Sequence, residues 1–190
     1  MKKTFGFTLI ELLLSVLLIV ILMGVALVVI NPVQVRSKAT DSQRAADIKT
    51  IQAALERYYL RYRAYPASIA NNTSTSESVF VKVTGTDNLS SQLLAVDGTL
   101  GSAVLTQIPN DPEYSSSAPA SACTDTTSRR YNYWAPALST SSARASRYVL
   151  TTMMSVPTSN DTNPCGSLTN WSGICGSFMT SDYCYGVEGR

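Results

Sequence analysis

Glu11 is a lone carboxylate inside an otherwise apolar or small-residue run from Gly6 to Ile30. An acid in such surroundings needs a cationic partner, because an unpaired charge away from water is costly. A second group with chemical potential is the set of four cysteines, Cys123, Cys165, Cys175 and Cys184, all in the last third of the chain. The chain has no histidine, and their spacings match none of the common zinc patterns. They read as two disulfides, with three pairings open. Asp111, Glu113 and Asp125 form a third group, but a polar, Ser-rich stretch without fixed ligand order does not define a calcium site. A fourth is Arg57, Arg61 and Arg63 interleaved with Tyr58, Tyr59 and Tyr62. That pattern can serve nucleic acid, although a solvated helix end beside a core stripe is the better reading of it.

The elements that must position these groups begin with the apolar run itself. About twenty residues at roughly 1.5 Å each suffice to cross the hydrocarbon of a bilayer. Lys2 and Lys3 precede the run, and a short basic N-terminus ordinarily stays cytoplasmic. Everything after Asn31 is then outside the cytoplasm, where disulfides form. An ordinary secretory signal peptide would share the basic start and offers a Gly24-Val25-Ala26 triplet as a cleavage site. Against it, the apolar run continues to Ile30 and contains Glu11.

Asn31-Pro32 predicts a kink or short melt, since proline removes a helical hydrogen bond and biases its predecessor away from helix; Gly24 is a second weak point. Residues 33–63 carry Ile48, Ile51, Leu55, Tyr58 or Tyr59, and Tyr62 at helical steps. Arg44, Asp47, Lys49, Glu56, Arg57 and Arg61 are read largely off that stripe, with Asp41–Arg44 and Arg44–Asp47 available as i,i+3 pairs. The helix is expected to stop at Ala64-Tyr65-Pro66. Beyond it, residues 67–78 read as loop, Val79 to Thr84 as a strand, and Asn88 to Val96 as a short helix packing Leu89, Leu93 and Leu94. Residues 115–130 read as a polar loop. Tyr131 to Ala135 and Tyr148 to Met154 have the β-branched and aromatic character of an antiparallel pair joined by a hairpin connection. The tail from Ser155 reads as an irregular disulfide-pinned cap, with at most a short strand near Phe178 or Tyr183.

The start of the chain also carries a resemblance. Lys2-Lys3-Thr4-Phe5-Gly6 followed by Phe7-Thr8-Leu9-Ile10-Glu11 resembles the class III leader of type IV pilins and type II secretion pseudopilins. A looser similarity to pilin-like proteins runs from Asp41 to Pro66, and Leu105 to Pro112 looks like the turn that precedes the pilin sheet. The resemblance implies cleavage after Gly6, N-methylation of Phe7 and a role for Glu11 in assembly and register. It implies an α+β pilin-like fold: a leader (1–6), a membrane or filament-core helix half (7–30), an amphipathic half (31–66) and a globular head (67–190). The whole helix would extend about 80–85 Å. Implied partners are other pilin subunits, a prepilin peptidase/N-methyltransferase, assembly-platform proteins, and the lipid bilayer before assembly. The implied place is the cytoplasmic membrane and then a surface filament.

Composition narrows the alternatives. Without Lys2 and Lys3 the fifteen basic residues fall to thirteen, equal to the thirteen acids, so no overall electrostatic case for nucleic acid remains. DNA would be a partner only if the filament served its uptake. There is no Ser-His-Asp or Cys-His arrangement, phosphate loop or EF-hand, and no cofactor is expected. A pilus subunit is the first expectation, a secretion pseudopilin the second, and a single-pass anchored binding module the third.

Overall fold

A computed structural model describes residues 7–29, 31–76, 79–83, 87–94, 104–113, 131–157, 165–175 and 183–190. The chain divides into two compact units, Met1–Ser37 and Lys38–Arg190.

Helix α1, Leu9–Val29, dominates the first unit. Its side chains described up to Ala26 are exposed on every face, Leu9 at 85% and Val20 at 62%. A helix apolar all round is one meant for burial in a non-aqueous setting or against other helices. Leu9–Ala26 is long and apolar enough to cross a membrane by length and composition. Helix α2 spans Pro32–Tyr62. Asn31, between the helices, accepts hydrogen bonds on Oδ1 from Val33 N (3.2 Å) and Gln34 N (3.4 Å). Asparagine is thus the N-cap and proline the first helical residue, where its missing N–H costs nothing. Gly24 lies in the uninterrupted part of α1, so the helical path breaks at Asn31 and not at Gly24.

The second unit is built on an antiparallel sheet in the order β2-β3-β5-β6, from Val81–Lys82 (β2), Tyr131–Trp134 (β3), Tyr148–Met153 (β5) and Cys184–Gly189 (β6). Tyr133 pairs with Leu150, and Leu150 with Val187. Alternation sorts the side chains onto two faces. Tyr131, Tyr133, Tyr148, Leu150, Tyr185 and Val187 share one core with Ile48, Ile51, Leu55 and Tyr58 of α2 and with Leu89 and Leu93 of α3 (Asn88–Leu94). Trp134, Val149, Met153 and Cys184 face a second core with Leu168 and with Trp171 of α4 (Thr169–Cys175). With both faces covered, every residue of β5 is buried, and the strand reads as a continuous run.

The connection between β3 and β5 is more than a hairpin. It contains β4, Arg144–Ala145, which pairs with β1, Tyr65–Pro66, and brings the exit of α2 beside the sheet. Tyr133 Oη donates to Pro66 O (2.7 Å) across this junction. The tail departs furthest from the sequence expectation. Instead of an irregular cap with at most a short strand, it contributes six-residue β6, paired along its whole length with β5. A Cβ at Gly189 would collide with the Cε1 edge of the Tyr148 ring, so glycine lets that aromatic lie over its neighbour strand. The expected strand from Val79 to Thr84 is reduced to Val81–Lys82, while the expected helix forms as Asn88–Leu94. Phe178 and the polar loop at 115–130 lie outside the described residues.

Candidate functional site

Thr8 opens α1: its carbonyl accepts from Glu11 N (3.1 Å) and Leu12 N (3.2 Å). That places Glu11 in the first turn, where the unsatisfied N–H groups favour a carboxylate. Thr8-x-x-Glu11 also has the spacing of a capping box. Among the described residues, however, the Glu11 side chain makes no hydrogen bond or ion pair, and it is exposed like the apolar residues around it. Phe7, just before the helix, is 73% exposed. Among the described residues the geometry presents a lone acid on an exposed apolar helix, four residues after Phe7. Gly6 lies outside the described residues.

Cys165, in a short 3₁₀ turn (Cys165–Ser167), is bonded to Cys184 at the start of β6. Cys175, at the end of α4, is also disulfide-bonded; Cys123 lies outside the described residues. The Cys165–Cys184 bond ties the start of the edge strand, which carries two glycines, to the second core.

Of the main polar centre, sequence reasoning found only the Asp41–Arg44 pair and missed the rest. Arg44, read as lying off the α2 stripe, is fully buried. Its Nε and Nη2 donate to Asp111 (2.8 and 3.0 Å), a two-pronged pair between side chains that are both 0% exposed. Nη1 donates to Asp41 Oδ1 (2.7 Å) and Ser155 Oγ (2.9 Å), and Nη2 to Glu113 (2.9 Å). Asp41 in turn accepts from the backbone N–H groups of Ser155 and Val156. Burial alone would favour the neutral guanidine; the bonds to Asp111, Glu113 and Asp41 outweigh it and hold Arg44 charged. The signal was present: position 44 is one helical step before Ile48 on the buried stripe.

This centre also settles what two of the three acids weighed for calcium are doing. Asp111 and Glu113 are occupied by Arg44, and Asp125 lies outside the described residues. Asp47 does not pair with Arg44; it accepts from Tyr131 Oη (2.6 Å), while Glu56 accepts from Tyr65 and Tyr148 Oη. Burial first, and then these carboxylates, raise the three phenols, Tyr65 to about 12. Arg57, Arg61 and Arg63 are exposed, whereas Tyr58 packs in the core.

The family model of the prokaryotic N-terminal methylation motif matches residues 1–27, a stretch that includes Gly6, Phe7, Glu11 and Gly24. The match supports a type IV pilin-like prepilin leader at this end of the chain. No curated protein and no solved structure gives a match.

Proposed function

We propose that the chain is a structural prepilin of a type IV pilus-type filament, cut after Gly6, methylated on the amine of Phe7, and polymerised through α1. The observation that carries this reading is the solvent-exposed apolar helix whose first turn holds Glu11, a carboxylate with no partner among the described residues, within the matched motif. Cleavage creates a cation, the Phe7 amine, four residues from a carboxylate that has no partner among the described residues. Between subunits offset along a filament axis, that amine and the Glu11 of a neighbour neutralise each other, and the pair fixes register. Lipid covers α1 before assembly and neighbouring copies cover it afterwards, so its apolar surface stays out of water throughout.

In this reading the N-terminus starts on the cytoplasmic side. A prepilin peptidase/N-methyltransferase processes the chain, platform proteins extract it, and the second unit ends at the filament surface. A secretion pseudopilin is the alternative within the class. The engagement of Asp111 and Glu113 by Arg44 favours the pilus, because the resemblance puts the calcium loop of major pseudopilins near this turn. A membrane-anchored binding module would need neither cleavage nor Glu11.

Glu11→Ala tests the proposal. The variant should be processed like the parent yet be recovered in sheared filaments at a tenth of the yield or less. Equal yields would remove the register role.

A further inference from the structure

One concavity of the second unit is not explained by its fold. It has a volume of about 640 Å³ and is lined by Tyr59, Arg63, Arg147 and Arg190, by the hydroxyl side chains of Thr73, Thr75 and Ser146, and along one wall by the apolar run Pro136-Ala137-Leu138. No acidic side chain lines it among the described residues, and none of the three arginines forms an ion pair there. Glu188, two residues before Arg190, is already taken up by the Thr169 and Asn170 N–H groups.

Each guanidinium is positioned by something other than a carboxylate. Arg190 lies 5.9 Å over the Tyr59 ring, and Arg147 lies 5.4 Å over Trp134 and donates to Asn170. Arg63 has φ 56°, the left-handed conformation that ends α2, with its N–H bonded to Tyr59 O (2.7 Å). Glycine suits that position best, so an exposed arginine there is not a requirement of the helix end. Non-glycine residues kept in this conformation cluster at binding sites. Three guanidinium groups line one groove with no acidic side chain among its described lining, and such groups are suited to an oxyanion.

The remaining lining decides the ligand class. Tyr59 is the aromatic of the lining, and its ring is engaged by Tyr65, at 4.8 Å between centroids, and by Arg190. No free ring face is left for the base stacking that holds single-stranded nucleic acid. Thr73, Thr75 and Ser146 instead supply hydroxyls suited to the hydroxyls of a sugar. We infer that this groove binds an acidic saccharide, its carboxylate or phosphate held by Arg63, Arg147 and Arg190 and its hydroxyls by Thr73, Thr75 and Ser146. The inference concerns the second unit alone and does not rest on the filament reading.

The test is calorimetric titration of the full chain in detergent with three probes: a hexuronic acid tetrasaccharide, mannose 6-phosphate, and a neutral tetrasaccharide. Binding of either acidic sugar, at least tenfold tighter than the neutral one, is expected; which of the two binds assigns carboxylate or phosphate. Arg63→Gln and Arg190→Gln should each weaken that binding about tenfold. Arg57→Gln and Arg61→Gln, exposed arginines outside the groove, should leave it unchanged. All four are surface changes, and circular dichroism verifies the fold. Absence of binding, equal binding of the neutral sugar, equal loss in all four variants, or tighter binding of an oligothymidylate would overturn the proposal.

Discussion

Replacing Arg44 by methionine removes the charge at the centre of the second unit and keeps most of the side-chain volume. Asp111 would then retain only the Glu113 N–H (2.9 Å) as a hydrogen-bond donor while remaining fully buried. Asp41 would keep its three contacts from Ser155 and Val156 N–H, so most of the damage falls on Asp111. The bond to Glu113, whose side chain is 45% exposed, is screened and adds little. Removing one member of a buried ion pair costs about 3–5 kcal/mol. For a domain of this size each kcal/mol is worth about 2–4 °C, so the unfolding midpoint should fall by roughly 6–20 °C. The assay is thermal unfolding of the full chain in detergent, followed by near-ultraviolet circular dichroism of the buried Tyr and Trp side chains. Arg44→Met combined with Asp111→Asn removes both charges and should recover at least half of the loss, since two neutral groups no longer leave a bare ion in the core. A drop below about 2 °C in the single variant, or a double variant as unstable as the sum of the two singles, would refute the reasoning.

Two further outcomes follow from the same unit. Removing the Cys165–Cys184 bond alone, with Cys165→Ala and Cys184→Ala, should release β6 and lower stability by about 3 kcal/mol, the chain-entropy value for a loop of this length (sequence separation 19), and peptide mapping of the oxidised parent should recover a Cys165–Cys184 link; recovery of both as free thiols contradicts this. The raised phenols give a second outcome. Above about pH 10 the unfolded chain loses tyrosine protons that the folded chain retains, so unfolding is favoured as pH rises, up to about 12 for Tyr65 and further for Tyr131 and Tyr148. Tyrosinate absorbance should appear in step with loss of the near-ultraviolet signal. Full ionisation near pH 10 with the fold intact would contradict it.

What the sequence made legible was local. The apolar run, the proline that starts α2, and the stripe through Ile48, Ile51, Leu55 and Tyr58 all follow from spacing over a few residues. The β3–β5 pairing was legible from aromatic and β-branched composition. What escaped depends on distant partners. Arg44 meets Asp111 and Ser155, 67 and 111 residues away, so the partners that make its burial possible could not be read from its neighbourhood. Charge type suggested a solvated face, although its position on the helix pointed inward. Strand β6 escaped for a related reason. Its Gly186 and Gly189 break any alternation, and both approach partner-strand atoms too closely for a side chain. At the candidate assembly site the opposite holds. Lys2 to Glu11 is a contiguous signature, so the motif could be read without a fold.

The mass of the mature N-terminus tests the central claim most directly, using protein purified from cells that contain its prepilin peptidase. The account predicts a chain beginning at Phe7 with one methyl group on its amine. An intact Met1, or a chain beginning at Leu27 after cleavage behind Ala26, would contradict it.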